Sequence, residues 1–599
     1  MGESTSVDDA VPRQGVVARP PIPETAMSRR DLLTLVAASS VAGLATSASA
    51  AAVPAVARPV AGVPRKLNRF IGDYMRAMNA PGLTLAIATR RGPATIAAYG
   101  FVNLASKKPV TTADRFEIGS ITKSFTALVI LKLQDAGKLA VQQPILRYLP
   151  WLPIETDFGE ILVHHLLTHT SGMPDDPPVI SSEPGVRVRQ AYAPGTRFHY
   201  SNWGFEVLGL LIESVDGRPW PTVVASEIFA PLGMTDTAPT ISSAGRSRIA
   251  QSYVPLHDDR PYPRHGPLVP AGNLTFAKAS GAIASTPLDM ARYMRMLLNR
   301  GEGPSGRLVS EQGFTLFSTA HTEAPVFGPK ASYGYGIGID DLDGHKRLRH
   351  TGGMVSFMSS IQLDMDAGVG VFVSINAQQG YRPNPVAQYA IQLARGDLDH
   401  EAPPPDEGAI VKEAGSYTGV YRAADGRVLE VRAESERLVL LSDGARIPLQ
   451  HLVEDQFVAE HPRFALFPLI FGRTPAANPA SSEGPALAII ELSHGSDWYA
   501  GPRYSGGTAS LEKPDLVPYV GFYCSGDSWL DPIRIVQRRG QLWANGVMPL
   551  ERIGDHVFRL ADEPMSPEIV DFRALIGGQA QWLNFGGNLL RRMFVGDAA

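Results

Sequence analysis

Apolar positions recur at helical spacing over residues 66–78, where Leu67, Phe70, Ile71, Tyr74, Met75 and Met78 fall on one face. Residues 82–90 and 94–99 then read as two strands joined at Arg91-Gly92-Pro93, a hairpin signal. Ser120 opens the next predicted helix, whose apolar run Ala127-Leu128-Val129-Ile130-Leu131 leads to a C-cap at Gly137. Short helices broken by Pro and Gly follow over residues 139–300, with 202–215 and 287–299 among them. Strands return at 335–340, 347–350, 357–364 and 369–375, and residues 385–395 close the run as a helix. This order predicts a two-lobed α+β domain: one lobe a helical insert, the other a sheet, with a cleft between them. Such clefts are the usual setting of small-molecule sites.

Glu401-Ala402-Pro403-Pro404-Pro405-Asp406 marks a boundary, after which the texture changes to short alternating runs with Gly-rich turns. A repeat is visible there. Tyr417-Thr418-Gly419-Val420-Tyr421 recurs as Tyr519-Val520-Gly521-Phe522-Tyr523, and Ile447-Pro448-Leu449 as Met548-Pro549-Leu550. The two offsets agree to within a residue, so two small antiparallel β-barrel modules of lipocalin-like type are expected, closed so that no sheet edge stays open. The expected plan is a leader over 1–50, a linker over 51–65 and a catalytic domain over 66–398. A Pro-rich linker over 399–411 and barrels over 412–508 and 514–599 complete it. Residues 473–486 read as a flexible loop within the first barrel. A chain of 599 residues fits such a plan, at roughly 150 residues per domain.

With 44% hydrophobic and 19% charged residues, the chain reads as globular and soluble. A net charge of −4 without a basic run excludes nucleic acid as a partner. The single cysteine, Cys524, excludes an internal disulfide framework and a cysteine zinc cluster, and reads as an inert buried thiol. Near the N-terminus, Ser28-Arg29-Arg30-Asp31-Leu32-Leu33 is a twin-arginine start, followed by a weakly apolar segment and Ala48-Ser49-Ala50, a small-x-small cleavage pattern. The expectation is export by that route to the periplasm or beyond, with maturation near Ala51 and no stable membrane insertion afterwards. Met27 is an alternative start, and an uncleaved tail is the plainer alternative. No motif encodes the oligomeric state.

Ser120-Ile121-Thr122-Lys123 places a hydroxyl and an amine three residues apart, on one face of a helix. A serine hydroxyl needs a neighbouring base, and a desolvated lysine can lose its proton near neutral pH. The same four residues also fit an ordinary helix start with a solvated lysine. Tyr200-Ser201-Asn202 alone reads equally well as a core aromatic with a helix cap. His350-Thr351-Gly352-Gly353 ends a predicted strand, where glycines admit a ligand to the backbone and N–H groups can hold an oxyanion. His165 and His169 are an i, i+4 pair without the glutamate of a zinc helix, so no metal is expected there.

In this order and spacing, the three motifs resemble those of the penicillin-recognising serine hydrolases. That group includes class C β-lactamases, D-Ala-D-Ala carboxypeptidases, D-aminopeptidases and related esterases. The likeness extends to Pro81-Gly82-Leu83, to the stretch around His165 to Gly172, to Ser280-Gly281-Ala282 and to Tyr333-Gly334-Tyr335-Gly336. It implies Ser120 as acyl-accepting nucleophile, Lys123 as its base, Tyr200 as proton relay to the leaving group and Asn202 as holder of Lys123 and substrate. It also implies an oxyanion hole from the N–H groups of Ser120 and Gly353, with no cofactor. Many members carry lysine where this chain has His350. The histidine, a weaker partner for a substrate carboxylate, is similar to D-aminopeptidases, in which a barrel loop shapes the amine end of the site. If neutral His350 is required, activity rises through about pH 6–7. A peptide or amide substrate is therefore expected. A carboxylesterase, a β-lactamase and a non-catalytic binding protein are the alternatives.

Overall fold

The computed structural model describes residues 61–594, except 180–186, 244, 258, 262–264, 273, 379–382, 406–409, 475–487, 510 and 527–529. The twin-arginine segment and most of the loop expected at 473–486 lie outside the described residues. Helix α1 (Arg65–Ala77) leads into strands β1 (Gly82–Thr89), β2 (Thr95–Asn103) and β3 (Lys108–Pro109). After the helical insert come β4 (Thr322–Glu323), β5 (Ser332–Tyr333), β6 (Gly338–Leu342), β7 (His345–Gly353), β8 (Met358–Asp364) and β9 (Val369–Ile375). They form one antiparallel sheet in the order β4-β5-β6-β7-β8-β9-β1-β2-β3.

The central strands are buried on both faces, and the alternation of side chains sorts them into two cores. Leu83, Leu85, Val371, Val373 and Ile375 join α1 and the closing helix Asn384–Ala394 in one core. Ala86, Ala88, Phe372, Ile361 and Leu363 join the insert in the other. The register Leu85↔Val373 and Ile361↔Phe372 keeps each set on its own face. Helix α2 (Thr122–Asp135) lies inside the second core, buried from Thr122 through Leu131, so it is a central helix and not an amphipathic surface one.

Two local expectations are corrected. Ser120 sits in a 3₁₀ turn, Gly119–Ile121, that precedes α2, because Gly119 takes φ +53°. The strand expected at 335–340 begins only at Gly338, since Gly336, at φ +69°, turns the chain hard against the Lys123 carbonyl.

The C-terminal region holds two closed eight-stranded antiparallel barrels, running from Gly419–Arg422 to Asp497–Ala500 and from Gly521–Cys524 to Asn588–Met593. The repeat read from the sequence has a physical reason. Tyr421 Oη donates to the Tyr417 carbonyl (2.7 Å) and Tyr523 Oη to the Tyr519 carbonyl (2.9 Å), the same internal bond in each copy. Cys524 is half-buried, because it is the last residue of the second barrel's first strand and points away from the core that the preceding Tyr523 enters.

Candidate active site

The site forms where three pieces of backbone are forced together. A Cβ on Gly119 would lie 2.7 Å from Gly353 N, and one on Gly352 would lie 1.8 Å from the Ile118 carbonyl oxygen. Only glycine permits this approach, which brings the Ser120 turn against the end of β7. Ser359 Oγ fixes the Ile118 carbonyl by donating to it at 2.9 Å. On the other side, Phe116–Glu117 pairs with Ala284–Ser285 and so brings the Ser280 carbonyl to Lys123.

Lys123 is wholly buried, which rules out the solvated-lysine alternative. Its Nζ lies 3.0 Å from Ser120 Oγ and donates to Asn202 Oδ1 (2.6 Å) and the Ser280 carbonyl (3.0 Å). A neutral amine has two N–H donors and one lone pair. Both donors are taken by acceptors, and the lone pair is left for the serine hydroxyl. Burial pulls the lysine down to about 7, while the carboxylates of Asp175, Asp176 and Glu206 pull it up. Lys278 offsets that acidity, lying 2.7 Å from Glu206 and 3.7 Å from Asp176.

Asn202 is the first residue of its helix, Asn202–Asp216, behind a true cap: Ser201 Oγ accepts from Gly204 N. Its amide orientation is fixed from outside. Asp175 Oδ1 accepts from both Asn202 N (3.0 Å) and Asn202 Nδ2 (3.1 Å), so Oδ1 of the amide must face Lys123. Tyr200 lies over the lysine, with Nζ 4.9 Å from the ring centroid, and against the buried His169 at 4.3 Å between rings.

The structure brings Ser120, Lys123, Tyr200 and Asn202 together as the sequence suggested, with the Thr351-Gly352-Gly353 backbone beside the serine turn. His350 is buried below that backbone. Its Nε2 lies 2.9 Å from Tyr333 Oη and its Nδ1 2.6 Å from the Thr351 carbonyl. A carbonyl only accepts, so Nδ1 carries the proton. Burial keeps the Tyr333 phenol protonated and able to donate to an unprotonated Nε2, so both ring nitrogens have a partner. His165 Nδ1 accepts from Leu162 N and His169 Nδ1 from Ser201 N, which puts both histidines in structural roles.

Asp175 and Glu568 were not found from the sequence, and Tyr333 was read there only as part of the family likeness, without a role. Glu568 belongs to the second barrel, and its Oε1 accepts from Asp175 N at 2.6 Å. A cavity of about 880 Å³ opens beside Tyr200 and Asn202, and its far wall is the second barrel. Among the described residues, six carboxylates line it (Asp175, Asp176, Asp531, Asp562, Glu563 and Glu568), against one arginine, Arg197.

Residues 67–396 match the family model described as Beta-lactamase. Protein flp of Staphylococcus aureus is 25% identical over 350 residues, 55% of this chain and 66% of that protein, just short of two thirds of its length. Penicillin-binding protein 4 of Amycolatopsis lactamdurans is 25% identical over 312 residues, 49% of this chain and 79% of that protein. Among solved structures, the octameric penicillin-binding protein homologue from Pyrococcus abyssi aligns with 66% of this chain and 92% of that one, at 28% identity and a TM-score of 0.51. With the family model covering more than half of its length, the chain belongs to the β-lactamase family of serine hydrolases.

Proposed function

We propose that this protein hydrolyses amide or peptide bonds through an acyl-enzyme on Ser120, favouring substrates with a free amine. Lys123 takes the Ser120 proton as Oγ adds to the carbonyl, and the N–H groups of Ser120 and Gly353 hold the oxyanion. Tyr200 passes a proton to the leaving nitrogen as the C–N bond breaks. Water then attacks the ester by the reverse proton path and frees Ser120. His350 keeps Tyr333 and the β7 backbone in place.

The carrying observation is the acidic wall that the second barrel presents beside Tyr200 and Asn202. It favours a substrate ammonium and disfavours a carboxylate, which argues for amine-bearing amides over β-lactams. Incubation with D-Ala p-nitroanilide, short peptides, p-nitrophenyl esters and a chromogenic cephalosporin tests this. We expect amide turnover that falls when the substrate amine is acetylated. Fast ester turnover without amide hydrolysis would replace the proposal with a carboxylesterase. Ser120→Ala should lose at least about 10³-fold in rate, along with all labelling by a fluorophosphonate. Export through Arg29-Arg30 is part of the same proposal, checked by whether a reporter fused to residues 1–60 leaves the cytoplasm.

A further inference from the structure

The segment that orients Asn202 has no regular secondary structure of its own. On the catalytic side it is held by Ser201 Oγ, which donates to the Pro174 carbonyl (2.8 Å), and by Trp203 N, which donates to the Asp175 carbonyl (2.7 Å). Its opposite side is held by the second barrel at three successive residues. Glu568 Oε1 accepts from Asp175 N at 2.6 Å, and Asn588 Nδ2 donates to the Asp176 carbonyl at 3.0 Å. Gly587 lies so close to Pro177 that an added Cβ would come within 2.6 Å of its ring.

We infer that Glu568 is a positioning residue for the catalytic lysine, acting from the second barrel through Asp175 and Asn202. This rests on the serine-hydrolase reading above but not on any particular substrate. The chain of contacts is continuous: Glu568 to the Asp175 backbone, the Asp175 carboxylate to the Asn202 amide, and the amide oxygen to Lys123. Without the carboxylate, Asp175 N loses its acceptor and, among the described residues, the segment is tied to the barrel only at Asp176 and Pro177. The Asn202 amide then has no reason to keep its oxygen toward Nζ, and the lysine lone pair loses its aim at Ser120. Displacements of about 1 Å in such a set can cost 10²-fold in rate.

Glu568 also acts by charge. Lys123 is faced by Asp175, Asp176 and Glu206, with Lys278, His169 and Tyr200 around them, and Asp175 is faced by Asp176, Glu568 and Lys123. His199 is the titratable side chain against Glu568 itself, 3.3 Å away. The Glu568 charge opposes ionisation of Asp175. Neutralising it lets Asp175 ionise at lower pH and removes a negative charge from the surroundings of Lys123, so the lysine limb has no cause to move upward.

The test is the rate of fluorophosphonate labelling at Ser120 in the full chain, as a function of pH, with kcat and KM on any substrate the wild type turns over. Glu568→Ala should lower both kcat and the labelling rate about tenfold or more, with KM within about threefold. Glu568→Gln keeps an acceptor oxygen for Asp175 N. It should regain most of the rate, with the acid limb unmoved or moved downward. Asn588→Ala, with its wild-type melting temperature as a check on folding, should lower the labelling rate by a smaller factor. Wild-type labelling rates in Glu568→Ala with a raised KM would overturn the proposal, because the residue would then serve substrate binding. A Gln variant as slow as the Ala variant would overturn it as well. No labelling of the wild type at Ser120 would overturn the hydrolase reading beneath it.

Discussion

The two barrels share one framework, and they use the same loops for different partners. In the first, the two-residue turn between His494 and Asp497 meets the second barrel: Arg538 Nη1 donates to the carbonyls of Gly495 and Gly546, both at 3.0 Å. In the second, the equivalent turn between Phe585 and Asn588 meets the segment that holds Asn202. The loop after the fifth strand follows suit, carrying Phe467 to the barrel interface in one copy and Glu568 to the cleft in the other. Among the described residues, the cavity wall takes nothing from the first barrel. A duplicated scaffold thus leaves the hydrogen-bonding pattern intact, while the tips of its turns decide what each copy does.

The same wedge placed in both turns should separate the two barrels most strongly. Gly587→Val adds a side chain where Pro177 leaves no room and φ is +94°, and should lower kcat about tenfold to a hundredfold. Gly495→Val meets Phe467 at a comparable distance and at φ +58°, and should lower the melting temperature while leaving kcat within about twofold. Equal losses of kcat in both variants would show that any disturbance of the barrels reaches the site.

Next in size is Arg538→Ala. The guanidinium is buried, stacks at 3.6 Å on the Trp543 ring, and has its pKa pulled down to about 10 by desolvation. Its removal leaves two carbonyls without a donor and should cost about 1–3 kcal/mol in urea unfolding, with turnover unchanged below the transition.

The smallest effect expected is on the pH profile. Lys123 must be neutral to act, so activity should rise with pH through about 7 as the ammonium is lost. His350→Gln keeps an acceptor for the Tyr333 hydroxyl and should leave that limb in place. Loss of the limb in that variant would transfer it to the histidine.

Ser120, Lys123, Tyr200 and Asn202 were legible because a helix turn and a cap fix short spacings, and because the motif order carries their roles. The barrels were legible because a duplicated tyrosine–carbonyl bond leaves a duplicated sequence. The state of Lys123 was not, since spacing says nothing about burial, and Lys123 is buried only because α2 runs through a core. Glu568 was beyond reach for another reason. It lies 393 residues from Asp175, on a loop whose counterpart in the first copy faces elsewhere.

That separation along the chain also sets an order in time. At synthesis rates of about 5–20 residues per second, Glu568 is made roughly 20–80 s after Asp175, long after Ser120 and Lys123 are in place. During that interval the lobes can fold, yet the cavity lacks its far wall and Asp175 lacks its partner. The nucleophile is therefore born early and completed late, and a chain cut short before the second barrel carries every catalytic side chain without the clamp that aims them.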